Sequence, residues 1–313
     1  MIKRREFLMG SVAAVGSPAS WGQAADQAKM ARVAVMSYGF NLIIKSDAHP
    51  DDPRRTLDIL DFPEEMAGRY GIHHVEIQHS HLRSTEPAYF EEFRNRLKKA
   101  RSQMSQLVLE FGALNVSSAD PVVRLETIEL TKRWIDHAVT FGCPRVMVNQ
   151  GTLAAEVRPT SIETLKTINA YAQTKKVWVT VENRDDAPRV GGGRAGAAAA
   201  AGTANIAAAP LPPRPHTWEV EAEVIKAAGV WANPDVSSFP DNQAREAGLR
   251  TLYAMTAGSS HFKYMPDLFD SVRVVQISKE VGYKGLYSIE AEPLSADPYP
   301  FVQTIVGVLL KAL

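Results

Sequence analysis

The sequence predicts a single (β/α)8 barrel, a fold in which eight parallel strands alternate with eight helices. Three observations support this prediction. Eight strand-like runs alternate with stretches of helical periodicity, the runs begin at fairly regular intervals, and four runs in the second half lead into a carboxylate or a histidine. A chain of 313 residues is long enough to form one such barrel.

The strand candidates are rich in β-branched or aromatic residues. Apart from one long interval, their starts are separated by roughly 25 to 40 residues, against about 31 per unit in a barrel of typical size. They begin near Val33, Ile72, Leu107, Arg145, Val177, Val230, Ser259 and Gly285.

Between the strand candidates lie amphipathic stretches in which apolar residues recur at helical spacing. Two of them open with proline, which the first turn of a helix tolerates well. Parallel strands need crossover connections of about this length. Helices are expected within residues 87–104, 121–141, 160–174 and 218–228.

The long interval lies between the fifth and sixth strand candidates and contains a low-complexity segment. Residues 187–216 include GGGRAGAAAAAG and PLPPRP, and they lack the large apolar side chains needed for a core of their own. Without these residues, the interval between the starts of the fifth and sixth strand candidates is close to the other intervals. The segment is therefore interpreted as an insertion in the βα loop after strand 5. Because such loops lie on the catalytic face, it is either a lid, a contact between subunits or an inert expansion.

The N-terminus resembles an export signal. Residues 3–8 read KRREFL, and adjacent arginines followed by Phe-Leu are typical of the twin-arginine signal. The apolar stretch that follows is too short to span a bilayer stably. We expect a signal peptide over residues 1–25, cleavage near Ala24 or Ala25, a barrel over residues 30–313 and a periplasmic or other extracytoplasmic location. The alternative is a basic N-terminus on a cytosolic protein.

The overall composition is that of a soluble globular protein. The 35 acidic residues balance 35 basic ones, so the charge gives no reason to expect a nucleic-acid partner or an anionic membrane surface. No membrane span is expected in the mature protein, and a homo-oligomer is compatible with these features. The lone cysteine, Cys143, excludes an intramolecular disulfide.

Four residues carry the predicted chemistry: Glu182, Asp235, His261 and Glu290. Each alone has an ordinary explanation, such as a helix cap, a turn or a structural histidine. Each, however, lies at the end of its own strand, so all four side chains are expected on one rim of the barrel. Oxygen ligands combined with one imidazole suit a single Mn²⁺, Mg²⁺, Co²⁺ or Zn²⁺ ion.

The second half of the chain also resembles a known family. The phrases PDVSSFPD, SSHFKY and GYKGLYSIEAE, together with the ordered quartet, are similar to those of xylose isomerase-like TIM barrels, most closely the sugar phosphate isomerase/epimerase group. The resemblance runs from about residue 30 to the end. It implies that the quartet binds one divalent metal and that Glu182 and Glu290 also pass a proton at a carbohydrate substrate.

Four further residues are candidates for substrate contact. The family often has a histidine three residues after the metal-binding aspartate, whereas this chain has Ser238. Lys263 lies two residues after His261 and would point to the same side of an extended chain. The other candidates, after the second strand, are His79 and His81.

The resulting hypothesis is a metal-dependent isomerase or epimerase that transfers a proton through an enediolate of a sugar or related polyol. A lyase or hydrolase acting on keto-glycosides would use the same chemistry and stays open. A phosphodiesterase of the endonuclease IV type shares the barrel, but it needs more rim histidines and a basic groove. A third alternative is a non-catalytic sugar-binding barrel.

Overall fold

The structure is a computed structural model that describes residues 26–149, 151–184 and 218–313. The predicted signal peptide (1–25) and the predicted insertion (187–216) lie outside the described residues, so both stay predictions.

The described residues form a nearly closed barrel of eight parallel strands, which confirms the predicted fold class. The sheet order is β6-β5-β4-β3-β2-β1-β8-β7, and every adjacent pair is parallel. In chain order the strands are β1 (Val33–Met36), β2 (His74–Gln78), β3 (Gln103–Leu109), β4 (Arg145–Val148), β5 (Trp178–Glu182), β6 (Trp231–Asn233), β7 (Ser259–Phe262) and β8 (Leu286–Ile289).

One long helix follows each strand in the described part of the chain. These helices are α1 (Phe62–Tyr70), α2 (Pro87–Lys99), α3 (Pro121–Phe141), α4 (Arg158–Thr174), α5 (Trp218–Ala228), α6 (Asn242–Tyr253), α7 (Ser271–Glu280) and α8 (Tyr299–Ala312). None of them is long and apolar enough to cross a membrane.

Two predicted boundaries between α2 and β3 were wrong. The helix expected over residues 87–104 ends at Lys99, and β3 begins at Gln103 rather than near Leu107. The break falls at Arg101, whose φ of 53° lies in the left-handed region that an α-helix cannot use. The helices expected over 121–141 and 218–228 match α3 and α5, and α4 begins two residues before the expected position.

The seam between β6 and β7 is closed by the residues that lead into the predicted site. The Ala232 amide donates to the Met255 carbonyl at 3.0 Å, and the His261 amide donates to the Pro234 carbonyl at 2.9 Å. Asp235 and His261 form an isolated parallel bridge. Barrel closure therefore fixes the backbones of two predicted metal ligands relative to each other.

Strand alternation divides the barrel into an apolar exterior and a partly polar interior. On β2, Val75 and Ile77 belong to the main hydrophobic core, whereas the intervening Glu76 contacts Gln106 and His261. Apolar burial of this kind contributes about 25 cal/mol per Å². The exterior core thus supports the strands whose inward side chains build the site.

Candidate metal centre

The four predicted ligand residues meet at the C-terminal rim of the barrel. One carboxylate oxygen or ring nitrogen from each of Glu182, Asp235, His261 and Glu290 lies within 4.8 Å of the corresponding atom of every other member, and all four residues are buried. Glu182 ends β5, Asp235 lies two residues beyond β6, His261 is in β7, and Glu290 directly follows β8. The structure therefore contains a candidate site for a metal ion at the predicted position.

His261 presents its two ring nitrogens to different carboxylates. Nδ1 lies 2.6 Å from Glu182 Oε1 and 3.2 Å from Glu290 Oε2, whereas Nε2 lies 2.6 Å from Glu76 Oε1. Burial alone would lower the pKa of His261, but Glu76 and Glu182 raise it well above its usual value. Nδ1 is thus the nitrogen that faces the other candidate ligands.

A chain of hydrogen bonds across the barrel interior holds Glu76. The Gln106 amide donates to Glu76 Oε1 at 3.1 Å and to Asn233 Oδ1 at 3.2 Å. Thr180 donates to Gln106 Oε1 at 3.1 Å. Since a carboxylate that holds the second nitrogen of a ligating histidine fixes its tautomer and ring orientation, Glu76 is placed to direct His261 Nδ1 toward a cation.

Asp235 is fixed by contacts to its backbone and to both of its carboxylate oxygens. The Asn183 side chain accepts from the Asp235 amide at 2.8 Å and donates to its carbonyl at 3.0 Å. The amide and hydroxyl of Ser237 both donate to Asp235 Oδ1 at 2.7 Å. The other oxygen, Oδ2, accepts from the ammonium of Lys263 at 2.8 Å.

Comparison with known proteins identifies the architecture. Residues 65–207 match the family model described as xylose isomerase-like TIM barrel, a stretch that includes Glu76 and Glu182 and ends before the other three quartet members. The fold is that of a xylose isomerase-like TIM barrel. A search of curated protein sequences finds no match.

Solved structures share the xylose isomerase-like barrel over almost the whole chain. A xylose isomerase-like TIM barrel protein from Mycobacterium smegmatis in complex with magnesium is 16% identical, with a TM-score of 0.60 over 91% of this chain and 99% of that one. D-allulose 3-epimerase from Methylomonas sp. is 13% identical, with a TM-score of 0.63 over 90% and 98%. A probable 3-DHS dehydratase from Bacillus anthracis is 12% identical, with a TM-score of 0.61 over 89% and 98%. Likeness at these identities establishes the fold.

Lys263 is a buried cation of the candidate site. Its ammonium lies 2.8 Å from Asp235 Oδ2, 3.3 Å from Glu290 Oε2 and 3.0 Å from Glu292 Oε2, and its side chain is 2% exposed. Burial would lower the pKa of Lys263, but Asp235, Glu290 and Glu292 raise it well above its usual value. The structure therefore places Lys263 among the ligand carboxylates, while its predicted contact with substrate stays a prediction.

The donor set fits a divalent cation. His261 and Lys263 together supply at most two positive charges, and the buried carboxylates that contact them are Glu76, Glu182, Asp235, Glu290 and Glu292. Glu290 Oε2 is buried and accepts no well-formed hydrogen bond from the described residues. Uncompensated charge is costly to bury. A divalent ion held by the quartet would supply part of the missing charge, and its oxygen and imidazole ligands suit Mn²⁺, Mg²⁺, Co²⁺ or Zn²⁺.

The two histidines after β2 are engaged with protein groups. His81 is buried, its Nδ1 lies 2.9 Å from Ser37 Oγ, and its Nε2 lies 3.1 Å from Asn41 Oδ1. Burial lowers the pKa of His81 to about 3, so the ring is neutral. His79 Nδ1 accepts from the Glu110 amide at 3.2 Å. Substrate contact by either residue stays a prediction.

Ser238 is buried close to the quartet. Its carbonyl accepts from Asn183 at 3.3 Å, and Asn183 also holds Asp235. The Ser238 hydroxyl is buried without a hydrogen-bond partner among the described residues. Its predicted substrate contact stays a prediction.

Sequence reasoning missed Arg184 and Glu110. Arg184 Nε lies 3.4 Å from Glu182 Oε2, and its terminal nitrogen donates to Glu110. Arg184 follows Glu182 by two residues, so the alternation of an extended chain was a signal that both side chains share one side. Glu110 directly follows β3, so the strand-end position that indicated the quartet was also a signal for Glu110.

We expect Glu76→Ala to lower the affinity of the protein for Mn²⁺ about tenfold to hundredfold, because His261 would lose the group that orients its ring. Isothermal titration of metal-free protein with Mn²⁺ measures this effect. Glu76→Gln should recover part of the affinity, since an amide oxygen can still accept from His261 Nε2. Glu92→Gln is the control, because Glu92 pairs with Arg96 on the exposed face of α2. An unchanged affinity in Glu76→Ala would contradict the assigned role.

We expect Lys263→Met to destabilise the metal-free protein by about 3–5 kcal/mol, because it leaves buried carboxylates without their cation. Urea unfolding in the presence of a chelator measures the loss. Mn²⁺ should raise the stability of this variant more than that of the wild type. Lys166→Met removes only an exposed pair with Glu163 and should change the stability by at most about 0.5 kcal/mol. An equal loss of stability in Lys263→Met and Lys166→Met would show that Lys263 does not stabilise the buried carboxylates.

Proposed function

We propose that this protein is a divalent-metal-dependent isomerase or epimerase of a sugar or related polyol. The observation that carries the proposal is the placement of two carboxylates, Glu182 and Glu290, around one nitrogen of His261. They come from strands β5 and β8, and their oxygens lie 2.6 Å and 3.2 Å from His261 Nδ1. The likeness of the fold to D-allulose 3-epimerase supports the proposal.

The two carboxylates are the groups that would move the proton. Isomerisation and epimerisation of a sugar both remove a proton from a carbon next to a carbonyl and return it to the same or a neighbouring carbon. A carboxylate can accept that proton and a carboxylic acid can return it. With one group on each side of the substrate, Glu182 and Glu290 could exchange these roles according to the direction of reaction.

The remaining members of the site would hold the geometry. Glu76 fixes the ring of His261, and Asn183 and Ser237 fix Asp235. A divalent ion bound by the quartet would polarise the substrate carbonyl and so acidify the neighbouring carbon–hydrogen bond. Burial of all four ligands limits the access of water to the groups that carry the proton.

An elimination reaction is the second candidate. Loss of the same proton followed by departure of a substituent on the next carbon gives a lyase, and the chain shares its fold with a probable 3-DHS dehydratase. For a keto-glycoside the departing group would be the second sugar. The same two carboxylates would serve, so the products of the reaction decide between the candidates.

The proposed reaction predicts exchange of carbon-bound hydrogen with solvent. Mn²⁺-loaded protein incubated in deuterated water with a panel of ketoses and aldoses should incorporate deuterium next to the carbonyl carbon. Glu182→Gln and Glu290→Gln should each slow incorporation by about 10²-fold or more, because each removes a proton carrier. NMR of the recovered sugars measures the exchange, and metal analysis of His261→Ala should show loss of the ion.

The controls in this experiment separate the alternatives. Glu163→Gln removes an exposed carboxylate on α4 and should exchange deuterium at the wild-type rate. Release of a second sugar or of water from the substrate would favour the lyase. Tight metal binding without exchange on any sugar of the panel would overturn the proposed reaction and favour a non-catalytic sugar-binding barrel.

We also propose export of the folded protein through the twin-arginine route, because residues 3–8 read KRREFL. Protein recovered from the periplasmic fraction should begin near Ala24 or Ala25 when its N-terminus is sequenced. The double change Arg4→Lys and Arg5→Lys should keep the protein in the cytoplasm. Cytoplasmic wild-type protein with Met1 intact would overturn the proposal.

A further inference from the structure

Three polar residues lie side by side on the rim next to the candidate metal centre. Glu110 directly follows β3, Asn149 directly follows β4, and Arg184 lies two residues beyond β5. Because these strands are neighbours in the sheet, their ends meet at one part of the barrel mouth. We call Glu110, Asn149 and Arg184 the rim cluster.

Hydrogen bonds fix the orientation of the rim cluster. The Asn149 side-chain carbonyl accepts from the Gly151 amide at 2.8 Å, which directs its amino group to Glu110 Oε2 at 3.0 Å. Glu110 Oε1 accepts from a terminal nitrogen of Arg184. The guanidinium is thus held from one side by a carboxylate that is itself anchored.

Arg184 and His261 contact different carboxylate oxygens of Glu182. Glu182 Oε1 contacts His261 Nδ1 at 2.6 Å, whereas Glu182 Oε2 lies 3.4 Å from Arg184 Nε. The Arg184 Nε atom is buried and has no hydrogen-bond partner among the described residues. A buried donor without an acceptor is costly, so a ligand oxygen that accepts from it would gain a favourable contact.

The charges around this donor argue against an anionic ligand. The Arg184 guanidinium already contacts two carboxylates, those of Glu110 and Glu182, and His261 contacts Glu182 through its other oxygen. A phosphate or carboxylate placed here would meet the repulsion of both glutamates. A hydroxyl can accept from the guanidinium, and a neighbouring hydroxyl can donate to a carboxylate, so the arrangement complements an uncharged vicinal diol.

We propose that Arg184, held by Glu110 and Asn149, binds an uncharged oxygen of the substrate beside the carbon at which Glu182 acts. The substrate class is then a neutral polyhydroxy carbonyl compound rather than a sugar phosphate or a sugar acid. This inference rests on the proposed function, because it takes Glu182 to be a proton carrier.

Binding of neutral and charged polyols tests the inference without turnover. Isothermal titration of Mn²⁺-loaded protein with xylitol, sorbitol, mannitol and galactitol is compared with titration with sorbitol 6-phosphate. We expect at least one neutral polyol to bind more tightly than the phosphate. Arg184→Met should weaken that binding about tenfold to hundredfold, the effect of losing a hydrogen bond to a charged group.

Matched variants separate recognition from structure. Arg184→Lys should bind the polyol with intermediate affinity, and Glu110→Gln should weaken binding because it releases the guanidinium. All three variants should still bind Mn²⁺, since none of them removes a quartet ligand. Arg250→Met, which alters an exposed pair network with Glu246 and Glu280, should leave polyol binding unchanged.

Several results would overturn the inference. They are tighter binding of the phosphate, unchanged polyol affinity in Arg184→Met, loss of Mn²⁺ binding in Arg184→Met, or a wild type that binds none of the polyols. Arg184-dependent polyol binding without deuterium exchange would reject the proposed reaction and leave the inference standing. Deuterium exchange on a sugar with the same KM in the wild type and in Arg184→Met would support the proposed reaction and reject the inference about Arg184.

Discussion

Electrostatic repulsion among buried carboxylates is the constraint on which the site depends. Two like charges 4 Å apart cost about 4 kcal/mol at an effective dielectric constant of 20, and the quartet brings three carboxylates within that range of distances. Lys263 and His261 offset part of this repulsion through direct contacts. The remaining repulsion must be offset by a bound cation or by the stability of the fold. The barrel beneath the site must therefore be rigid enough to hold the carboxylates close together.

Closure of the barrel and formation of the site are one structural event. Strand β6 has only three residues, and the chain beyond it pairs with β7 through Pro234, Asp235 and His261. Asn183, directly after β5, ties the end of that strand to the Asp235 backbone. The ends of β5, β6 and β7 are therefore linked at the rim by contacts to the backbone of residues 234 and 235, which position Asp235 relative to Glu182 and His261.

The quartet could be predicted from the sequence because barrel topology converts a position along a strand into a position in space. Residues at the C-terminal ends of parallel strands share one rim whatever the separation in sequence, and this holds for Glu182 and Glu290 although 107 positions separate them. Identification needed only strand ends and side-chain chemistry.

Contacts across the barrel interior could not be predicted in the same way. Glu76 on β2 reaches His261 on β7, and Gln106 on β3 reaches Asn233 on β6. Which inward side chains meet depends on the stagger of the strands around the barrel, and strand patterns in the sequence do not encode it. The sequence placed Lys263 on the same side as His261, but its three carboxylate partners follow two other strands, β6 and β8, and the sequence does not show that they meet it.

Different strands supply the two groups of polar residues at the mouth of the barrel. The candidate metal ligands lie in or directly after β5, β6, β7 and β8, whereas Glu110 and Asn149 follow β3 and β4. Glu182 and Arg184, two residues apart after the same strand, connect these halves because they contact each other and opposite neighbours. Under the proposed function, a change at the ends of β3 and β4 would leave the quartet itself intact, and among the described residues the Arg184–Glu182 contact would connect the two halves.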